Sequence, residues 1–344
     1  MKHLFTRSFV LGCGLLLSTA CQSAPRQAPT RDALLLVATR GDERVTALST
    51  TELQPEWSVE LGLGAHELAI SDDGCLGVGS AYGGPGPMHQ PADNRLAVFD
   101  LEERKLVSTI DLGEHQRPND LAFLPDGQHV LVTSEVRGAL LLVDLEENQI
   151  ERVIDLKDPT GHMLAYAPSA PGELGRAFVS HVMSGRVSVI DVAAGSVLER
   201  VPAALGAEGI ACTPDGSRVW CANNRSHSIT VFDGHSLEVL HTLECPGFPF
   251  RTKVSSNGAR AVVSCPMKQE VIVFDATTAD ELVRFDLSDR GRNVSPQGVG
   301  ISPDGKQVVV ACAGLGEVLL LDVDQSSVVA TYEAGPMLDP VAFD

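Results

Sequence analysis

Histidine, acidic and amide side chains recur in this sequence directly before a series of short apolar runs. They are His66, Asn119, His162, Glu208, Gln297 and Asp339, with Asp120 and Arg251 one position further along in two of the runs. Imidazole and carboxylate groups bind first-row metal ions, and paired titratable groups can act as general acid and base. Gathered at one opening, these residues could hold a metal, a small polar ligand or a hydrolytic centre. Alternatively, they are polar strand starts that water and neighbouring loops satisfy without a ligand.

Arg251 and Lys253 are two residues apart, so on a strand their side chains point to the same face. Two cations in a chain of net charge −19 could bind an anionic ligand; ion pairs with Glu208 or Asp120 are the alternative. The ligand-binding candidates are therefore His66, Asn119, Asp120, His162, Glu208, Arg251, Lys253, Gln297 and Asp339. A metal site, if there is one, would use His66 and His162.

The apolar runs belong to a repeating unit. A turn, of the Pro-Asp-Gly type in residues 125–127, 214–216 and 303–305, leads to a second apolar run, a polar loop and a third run that ends in Asp. These closing residues are Asp100, Asp144, Asp191, Asp233, Asp275 and Asp322, at spacings of 42–47 residues. A fourth, weaker run follows each. Four short strands per repeat of this length are typical of a β-propeller blade.

The two ends of the chain complete the ring. Residues 338–344 match the first strand of a unit, whereas residues 33–61 supply a second, third and fourth strand without a first. We therefore predict an all-β, seven-bladed propeller over residues 33–344, closed by the C-terminal strand pairing beside the N-terminal strands. A Gly- and Pro-rich insertion at 79–94 separates two strands of the first full unit.

One position in the first strand is small in almost every unit, because seven inner strands converge there. It is occupied by Ala69, Ala122, Ala165, Ala211, Gly300 and Ala342. Lys253 stands at the same place in the remaining unit and is the one clear departure from the pattern.

The N-terminal residues have the features of an export signal. Lys2 and Arg7 precede a short apolar stretch at 9–17, which is too short to span a bilayer, and small residues then lead to Cys21. Residues 17–21, Leu-Ser-Thr-Ala-Cys, resemble a bacterial lipobox. We predict a signal peptide at 1–20, lipidation of Cys21 and a tether at 21–32; cleavage without lipidation is the alternative. By resemblance to Gram-negative sorting signals, Gln22 favours the outer membrane.

Charge and cysteine content narrow the classes of function. A net charge of −19 without clustered basic residues argues against a nucleic-acid-binding protein. Six cysteines follow the signal region, and no pair is spaced as in a zinc ribbon or thioredoxin-type site. We expect buried thiols, with one Cys212–Cys221 cross-strand disulfide as the alternative.

The Pro-Asp-Gly turns, the valine-rich second strands and the third strands ending in Asp resemble the YVTN-type β-propeller repeat. The resemblance covers about residues 33–344. It implies an exported bacterial protein, in a superfamily that includes surface proteins, lactonases and haem d1 or quinoprotein propellers. No catalytic constellation of that superfamily transfers to these residues.

We expect an exported, lipid-anchored propeller that binds a protein partner or a small polar or anionic ligand on its funnel face, without catalysis and most simply without a cofactor. The alternatives are a lactonase-like hydrolase that uses His66, His162, Glu208 or Asp339, and a haem- or quinone-binding redox propeller with contacts from the same residues.

Overall fold

In the computed structural model, which describes residues 34–84, 91–158, 160–169, 174–335 and 338–343, the strands form seven antiparallel four-stranded sheets. Alternating apolar residues and frequent tight turns favour such short paired strands. Each sheet is one blade, and in six of them the four strands follow one another along the chain. The seven-bladed propeller predicted from the repeat is confirmed.

We number the blades from the first complete unit. Blade 1 contains β4 (Ala65–Ile70), β5 (Leu76–Ala81), β6 (Arg95–Asp100) and β7 (Lys105–Asp111). Blade 2 contains β8 (Pro118–Phe123), β9 (His129–Ser134), β10 (Ala139–Asp144) and β11 (Gln149–Asp155). Blade 3 contains β12 (Gly161–Ala167), β13 (Arg176–His181), β14 (Arg186–Asp191) and β15 (Ser196–Pro202). Blade 4 contains β16 (Ala207–Cys212), β17 (Arg218–Asn223), β18 (Ser228–Asp233) and β19 (Val239–Glu244).

The remaining blades follow the same plan. Blade 5 contains β20 (Thr252–Val254), β21 (Arg260–Cys265), β22 (Glu270–Asp275) and β23 (Glu281–Asp286), and a 3₁₀ turn (Ser288–Arg290) follows it. Blade 6 contains β24 (Pro296–Ile301), β25 (Gln307–Cys312), β26 (Glu317–Asp322) and β27 (Ser327–Glu333). Blade 7 contains β28 (Leu338–Phe343), β1 (Leu34–Thr39), β2 (Arg44–Ser49) and β3 (Pro55–Glu60).

Blade 7 closes the ring as predicted. Its inner strand β28 comes from the C-terminus and pairs antiparallel with β1, with Leu36 opposite Ala342. This pairing joins the two ends of the described chain in one sheet. It thereby removes the exposed strand edges that an open stack of sheets would present.

The acid that closes each third strand has a local role. The Asp100 carboxylate accepts hydrogen bonds from the backbone N–H groups of Glu102 and Glu103, and Asp275 does the same for Thr277 and Thr278. Carboxylates that receive backbone N–H groups in this way stabilise tight turns. The repeated Asp therefore stabilises the turn into the fourth strand.

Apolar side chains from neighbouring blades fill the spaces between the sheets. Trp220 of blade 4 packs on Phe274 of blade 5 with ring centroids 5.5 Å apart, and Phe178 of blade 3 meets Phe232 of blade 4 edge to face at 6.0 Å. All four rings are buried. Each blade thus shares its core with the next, which holds the ring together.

Hydroxyl groups add a polar connection between blades at the start of the inner strands. Ser80 Oγ accepts from the backbone N–H of Glu67 in its own blade and donates to the carbonyl of Asn119 in the next. The equivalent residues Thr133, Ser180 and Ser264 make the same two bonds. Since these strand ends are buried, the hydroxyl satisfies two backbone groups that would otherwise lack partners.

β5 extends to Ala81, so the insertion predicted at 79–94 begins later, after the end of this strand. The six cysteines after the signal region are free thiols, as expected, and all but the partly buried Cys212 are buried. The alternative, a Cys212–Cys221 disulfide, is wrong, because Cys212 lies opposite Val219 in the ladder and Cys221 lies opposite Ile210. The predicted signal peptide and Cys21 lie outside the described residues, and no membrane-spanning helix occurs among the residues that are described.

A different pair of thiols lies in contact. Cys245, in the loop that enters blade 5, and Cys265, at the end of β21, are both buried with their Sγ atoms 3.5 Å apart. We expect mild oxidation to link them, because the two sulfurs already lie in van der Waals contact. Closing a loop of this size stabilises a protein by about 3 kcal/mol in the chain-entropy account.

Non-reducing peptide mapping and thermal unfolding of oxidised and reduced protein test this link. The Cys265→Ser variant should lose the linked peptide and the rise in Tm, whereas Cys212→Ser should keep both. A linked peptide that contains Cys212 and Cys221 would contradict the geometry.

Candidate functional site

Loops from a fourth strand to the next first strand, and turns between second and third strands, meet at one end of the channel, here called the funnel face. Arg251, directly before β20, lies at this end and is buried. Its guanidinium donates to Glu67 Oε1 from Nη2 at 2.8 Å and from Nε at 3.1 Å, and to Glu208 Oε1 from Nη1 at 3.1 Å. Because Glu67 belongs to blade 1, which is not a neighbour of blade 5, Arg251 bridges the channel.

Glu208 extends this network to blades 3 and 4. Its Oε1 lies 2.8 Å from His162 Nε2, and its Oε2 accepts from the amide of Asn224 at 3.2 Å. The side chains of Arg251, Glu67, Glu208 and His162 are only 5%, 8%, 6% and 13% exposed. We call these four residues the funnel network.

Electrostatics within the funnel network favour the charged forms of its central pair. Burial alone would raise the pKa of Glu208, but His162 and Arg251 outweigh it and lower this pKa to about 2. Burial alone would lower the pKa of His162, but the neighbouring Glu208 carboxylate outweighs it and raises this pKa above 6.5. With His162 protonated, two carboxylates, one guanidinium and one imidazolium balance to zero formal charge.

Asn119 holds the other nitrogen of His162. Its Nδ2 lies 2.8 Å from His162 Nδ1, while its buried Oδ1 has no hydrogen-bond partner among the described residues. A half-turn of the amide would present Oδ1 to the proton of an imidazolium, and amide orientation is assigned from the hydrogen-bond network. Asn119 can therefore serve His162 in either protonation state. Both ring nitrogens are engaged, which leaves no lone pair free for a metal.

A second group of side chains borders the network in blades 1 and 2. The Tyr82 hydroxyl donates to Glu135 Oε2 at 2.5 Å, and burial together with this carboxylate raises the pKa of Tyr82. The guanidinium of Arg117 lies over the ring of Tyr82, 4.7 Å from its centroid, and the ring of His66 is tilted against the same ring with centroids 4.7 Å apart. Tyr82 is thus an aromatic neighbour of both residues.

The remaining residues predicted to bind a ligand lie in separate places and do not join the funnel network. The Asp120 carboxylate is buried and accepts from the backbone N–H of Leu164, so it connects blades 2 and 3. Gln297, in β24, donates to Ser295 directly before this strand. Lys253 lines a cavity further along the channel and shares no ligand site with Arg251. The side chain of Asp339 is not among those that the structure describes.

The described His, Cys, Asp and Glu side chains do not form a metal-binding cluster. Among the described residues, no group of three or more His, Cys, Asp or Glu side chains is arranged to hold a metal ion. His66 lies against Tyr82 and His162 is bound to Glu208 and Asn119. The two histidines are therefore not presented as a pair of free ligands.

Sequence analysis missed Glu67, Tyr82, Glu135 and Asn224 as members of this region. Glu67 had an available signal, because it occupies the place in its inner strand that Arg251 occupies in blade 5. The other three lie in loops after second strands, where the repeat does not fix the side-chain direction.

Around the funnel network, exposed apolar side chains line the rim of blades 2 to 5. Val136, Met183 and Met267 stand in the turns between second and third strands, Leu205 in the loop into blade 4, and Phe248 in the loop into blade 5. Met267 is 69% exposed, Leu205 61%, Met183 56% and Val136 54%, while Phe248 is partly buried and stacks on Phe250. We call these five residues the apolar arc.

The stability of the protein should depend on pH through the His162–Glu208 pair. A raised histidine pKa contributes stability fully below 6.5, which is lost as pH rises through the folded-state value. A lowered glutamate pKa contributes stability above 4.5, which is lost as pH falls towards 2. We expect His162→Gln, which keeps an N–H donor without the charge, to destabilise most between about pH 4.5 and 6.5.

Urea unfolding of both proteins at a series of pH values measures this difference. The cost should be about 1.5–3 kcal/mol at its maximum, as for hydrogen bonds to charged groups. His235→Gln serves as a control on the opposite face. A cost that stays constant from pH 5 to pH 9 would show that His162 is not charged in the folded protein.

Comparisons with known proteins agree with the fold. The chain is 24% identical over 195 residues to the uncharacterized protein YncE of Salmonella typhi and to YncE of Salmonella typhimurium. The match covers 57% of this chain and 54% of each relative, so it spans about half the length of those proteins. No known protein-family profile matches the chain.

Solved structures extend the similarity to nearly the whole ring. A functionally unknown protein from Desulfotomaculum acetoxidans superposes with a TM-score of 0.73 at 17% identity, over 90% of this chain and 98% of that one. Hydrazine synthase of Kuenenia stuttgartiensis gives 0.68 at 18% identity, and the Cps50 (Swd1) β-propeller domain of Myceliophteria thermophila gives 0.66 at 13%. Each of the last two matches covers 81% of this chain and 89% of the other. At these identities the superpositions establish a shared propeller fold. The sequence match adds a distant similarity to YncE.

Proposed function

We propose that this protein is an exported, lipid-anchored binding module that holds a partner protein on its funnel face and is not itself a catalyst. The apolar arc is the observation that carries the proposal. Methionine and aromatic residues are enriched in protein–protein interfaces, and exposed apolar patches on soluble proteins mark such sites.

The position of the apolar arc distinguishes it from other exposed apolar residues. The described chain also exposes Leu106, Val107, Val153, Leu198, Val239, Leu240, Leu282 and Val329, but these lie on the fourth strands at the outer edge of the blades. They are spread around the periphery of the ring, whereas the arc belongs to the loops of four consecutive blades at the funnel end. A grouped apolar surface can anchor one partner through several contacts.

The funnel network, which the apolar arc surrounds, supports the same proposal. Its charges are paired with one another and shielded, so they hold the floor of the funnel in one conformation. Rigid scaffolds bind with less loss of conformational entropy. The net charge of −19 favours a partner with positively charged groups around its apolar contacts, because long-range attraction speeds encounter.

The hydrolase and redox alternatives lack a comparable observation. His162 and Glu208 are the best candidates for an acid–base pair, but they are bound to each other and to Arg251 and Asn119. Neither alternative gains support from the contacts of the described residues. One solved relative in fold is named hydrazine synthase, and that activity belongs to that protein.

Export and anchoring rest on the N-terminal sequence, with its charged start, short apolar stretch and Cys21. A YVTN-type repeat fits the same setting, since the resemblance is to exported proteins. Periplasmic or surface localisation, at the outer membrane in a Gram-negative cell, follows from these signals.

Substitution of the apolar arc tests partner binding. The double variant Met183→Ser/Met267→Ser removes two exposed anchors and should weaken binding at least tenfold, as expected when interface anchors are truncated. The matched control is Val107→Ser/Val329→Ser, which removes similarly exposed apolar groups from the outer edge. Proteins crosslinked to wild type in the native envelope are identified by mass spectrometry, and the affinity of the purified partner is then titrated against all three forms.

The expected result is one partner that the outer-edge variant retains and the arc variant loses. Equal affinity for both variants, or crosslinks that map to the outer strands, would show that the funnel face is not the binding surface.

Replacement of the lipidation residue tests the anchor. Cys21→Ser should move the protein from the membrane to the soluble envelope fraction and abolish incorporation of labelled fatty acid. Ser23→Ala is the control and should change neither. Membrane retention of unlabelled Cys21→Ser protein would overturn the anchoring proposal.

A further inference from the structure

The loops and turns of blades 3 to 5 that carry most of the apolar arc form one continuous rim at the funnel face. Backbone N–H groups donate to carbonyls of the neighbouring segment from blade to blade, with N···O distances of 2.8–3.2 Å: Gly206 to Val182, Asn224 to Gly206, Cys245 to His227 and Met267 to Gly247. Met183, Leu205 and Met267 stand on these segments and are each more than half exposed. The rim therefore presents them on one surface, whose shape is held by its own hydrogen bonds.

Two cations lie beside these apolar side chains. Arg225, in the turn of blade 4, and Lys268, in the turn of blade 5, are exposed. A Cβ atom at Gly206 would stand 2.9 Å from Arg225 Cγ, and one at Gly247 would stand 2.5 Å from Lys268 Cγ. The aliphatic part of each cation thus packs on a glycine next to a residue of the apolar arc, which places a positive charge beside the apolar surface.

Both cations are uncompensated at close range. Among the residues that the structure describes, the side chains of Arg225 and Lys268 form no hydrogen bond or ion pair. Lys268 interacts only over a longer distance with the exposed Asp286. Three cations elsewhere on this face have close acidic partners: Arg44 with Glu60, Arg95 with Asp93 and Arg137 with Glu114. The rim of blades 3 to 5 therefore has two positive charges available to a partner.

Acidic residues lie further out on the same face. The fourth strands of blades 2, 4 and 5 end at Asp155, Glu244 and Asp286, and all three side chains are exposed. A partner on this sector therefore meets apolar and positive groups on the rim and negative groups at its outer edge. Exposed charges act mainly within about 8 Å at physiological ionic strength. An anionic membrane would be attracted by the rim and repelled by the outer edge, whereas a protein can match the two zones residue by residue.

We infer that the partner binds this rim through a segment in which carboxylates alternate with apolar side chains. Its apolar residues would contact Met183, Leu205 and Met267, and its carboxylates would pair with Arg225 and Lys268. The inference rests on the proposed function, because it specifies the chemistry of the partner at the same surface. Positive groups elsewhere on the partner would face the outer acids, in line with the negative net charge of the chain.

A display library of short random peptides, selected on the full-length Cys21→Ser protein, measures which chemistry the rim prefers. Peptides that also bind the arc variant Met183→Ser/Met267→Ser are removed. The remaining sequences should be enriched in Asp or Glu next to apolar residues. Replacing the carboxylates of a synthetic peptide by amides should weaken its binding about fivefold, as expected for the loss of two exposed ion pairs.

Reversal of the two rim charges provides the second test. Arg225→Glu/Lys268→Glu breaks no hydrogen bond or ion pair of these side chains among the described residues. It should weaken binding of the acidic peptides at least about tenfold at low salt, because like charges then face each other. The loss should be much smaller at about 0.5 M salt, where exposed charges are screened. The matched control, Arg104→Glu/Lys306→Glu, changes the net charge equally at exposed positions of the opposite face and should bind as wild type does. Near-UV circular dichroism checks the fold of each variant.

These readouts distinguish the chemistry of the partner from the location of its binding surface. If every enriched peptide also binds the arc variant, the rim is not the binding surface, and the inference fails together with the proposed function. If the arc variant loses binding but the charge reversal does not, or if the enriched peptides are basic or uncharged, the inference alone is wrong. It is also wrong if no peptide is enriched. Finally, it is wrong if the charge reversal abolishes binding to vesicles of phosphatidylglycerol and phosphatidylethanolamine, because the rim is then a membrane contact.

Discussion

The ion pairs of Arg251 connect opposite sides of the ring. Its guanidinium comes from blade 5, contacts Glu67 of blade 1 across the channel and contacts Glu208 of the neighbouring blade 4. All three side chains are more than nine-tenths buried. Loss of one partner from a buried ion pair costs about 3–5 kcal/mol, because a charge is then left without compensation. The conformation of the funnel floor therefore depends on this one side chain, and His162 completes its charge balance.

The two ends of the channel differ in their side chains. At the funnel, the paired charges of the funnel network form the floor, and the apolar arc lies around it on blades 2 to 5. Towards the opposite face, the inner strands line an open cavity whose lining includes Lys253 and the exposed Asp72. The paired charges at the funnel stabilise the fold.

The repeat was enough to predict the fold, since the local pattern with its strand-ending acid recurs in six units, and the two ends of the chain supply the strands of the seventh blade. The site was less accessible. Arg251 and Glu208 were candidates because they stand at strand starts, but the contact of Arg251 with Glu67 joins residues 184 positions apart and depends on the diameter of the ring. The Cys212–Cys221 disulfide, the alternative to free thiols, is excluded because two cysteines on paired strands face each other only in one register. Lys253 was recognised as an exception to the repeat, and the structure adds the cavity around it.

A double-mutant cycle between Arg251 and Glu67 tests the central claim most directly. Urea unfolding of wild type, Arg251→Met, Glu67→Gln and the double variant yields the coupling free energy between the two residues. If Arg251 compensates Glu67 across the channel, the double variant will be more stable than the sum of the single effects implies, by about 1–3 kcal/mol. Additive effects within about 0.5 kcal/mol would mean that the two charges do not interact, and the account of the funnel floor would be wrong.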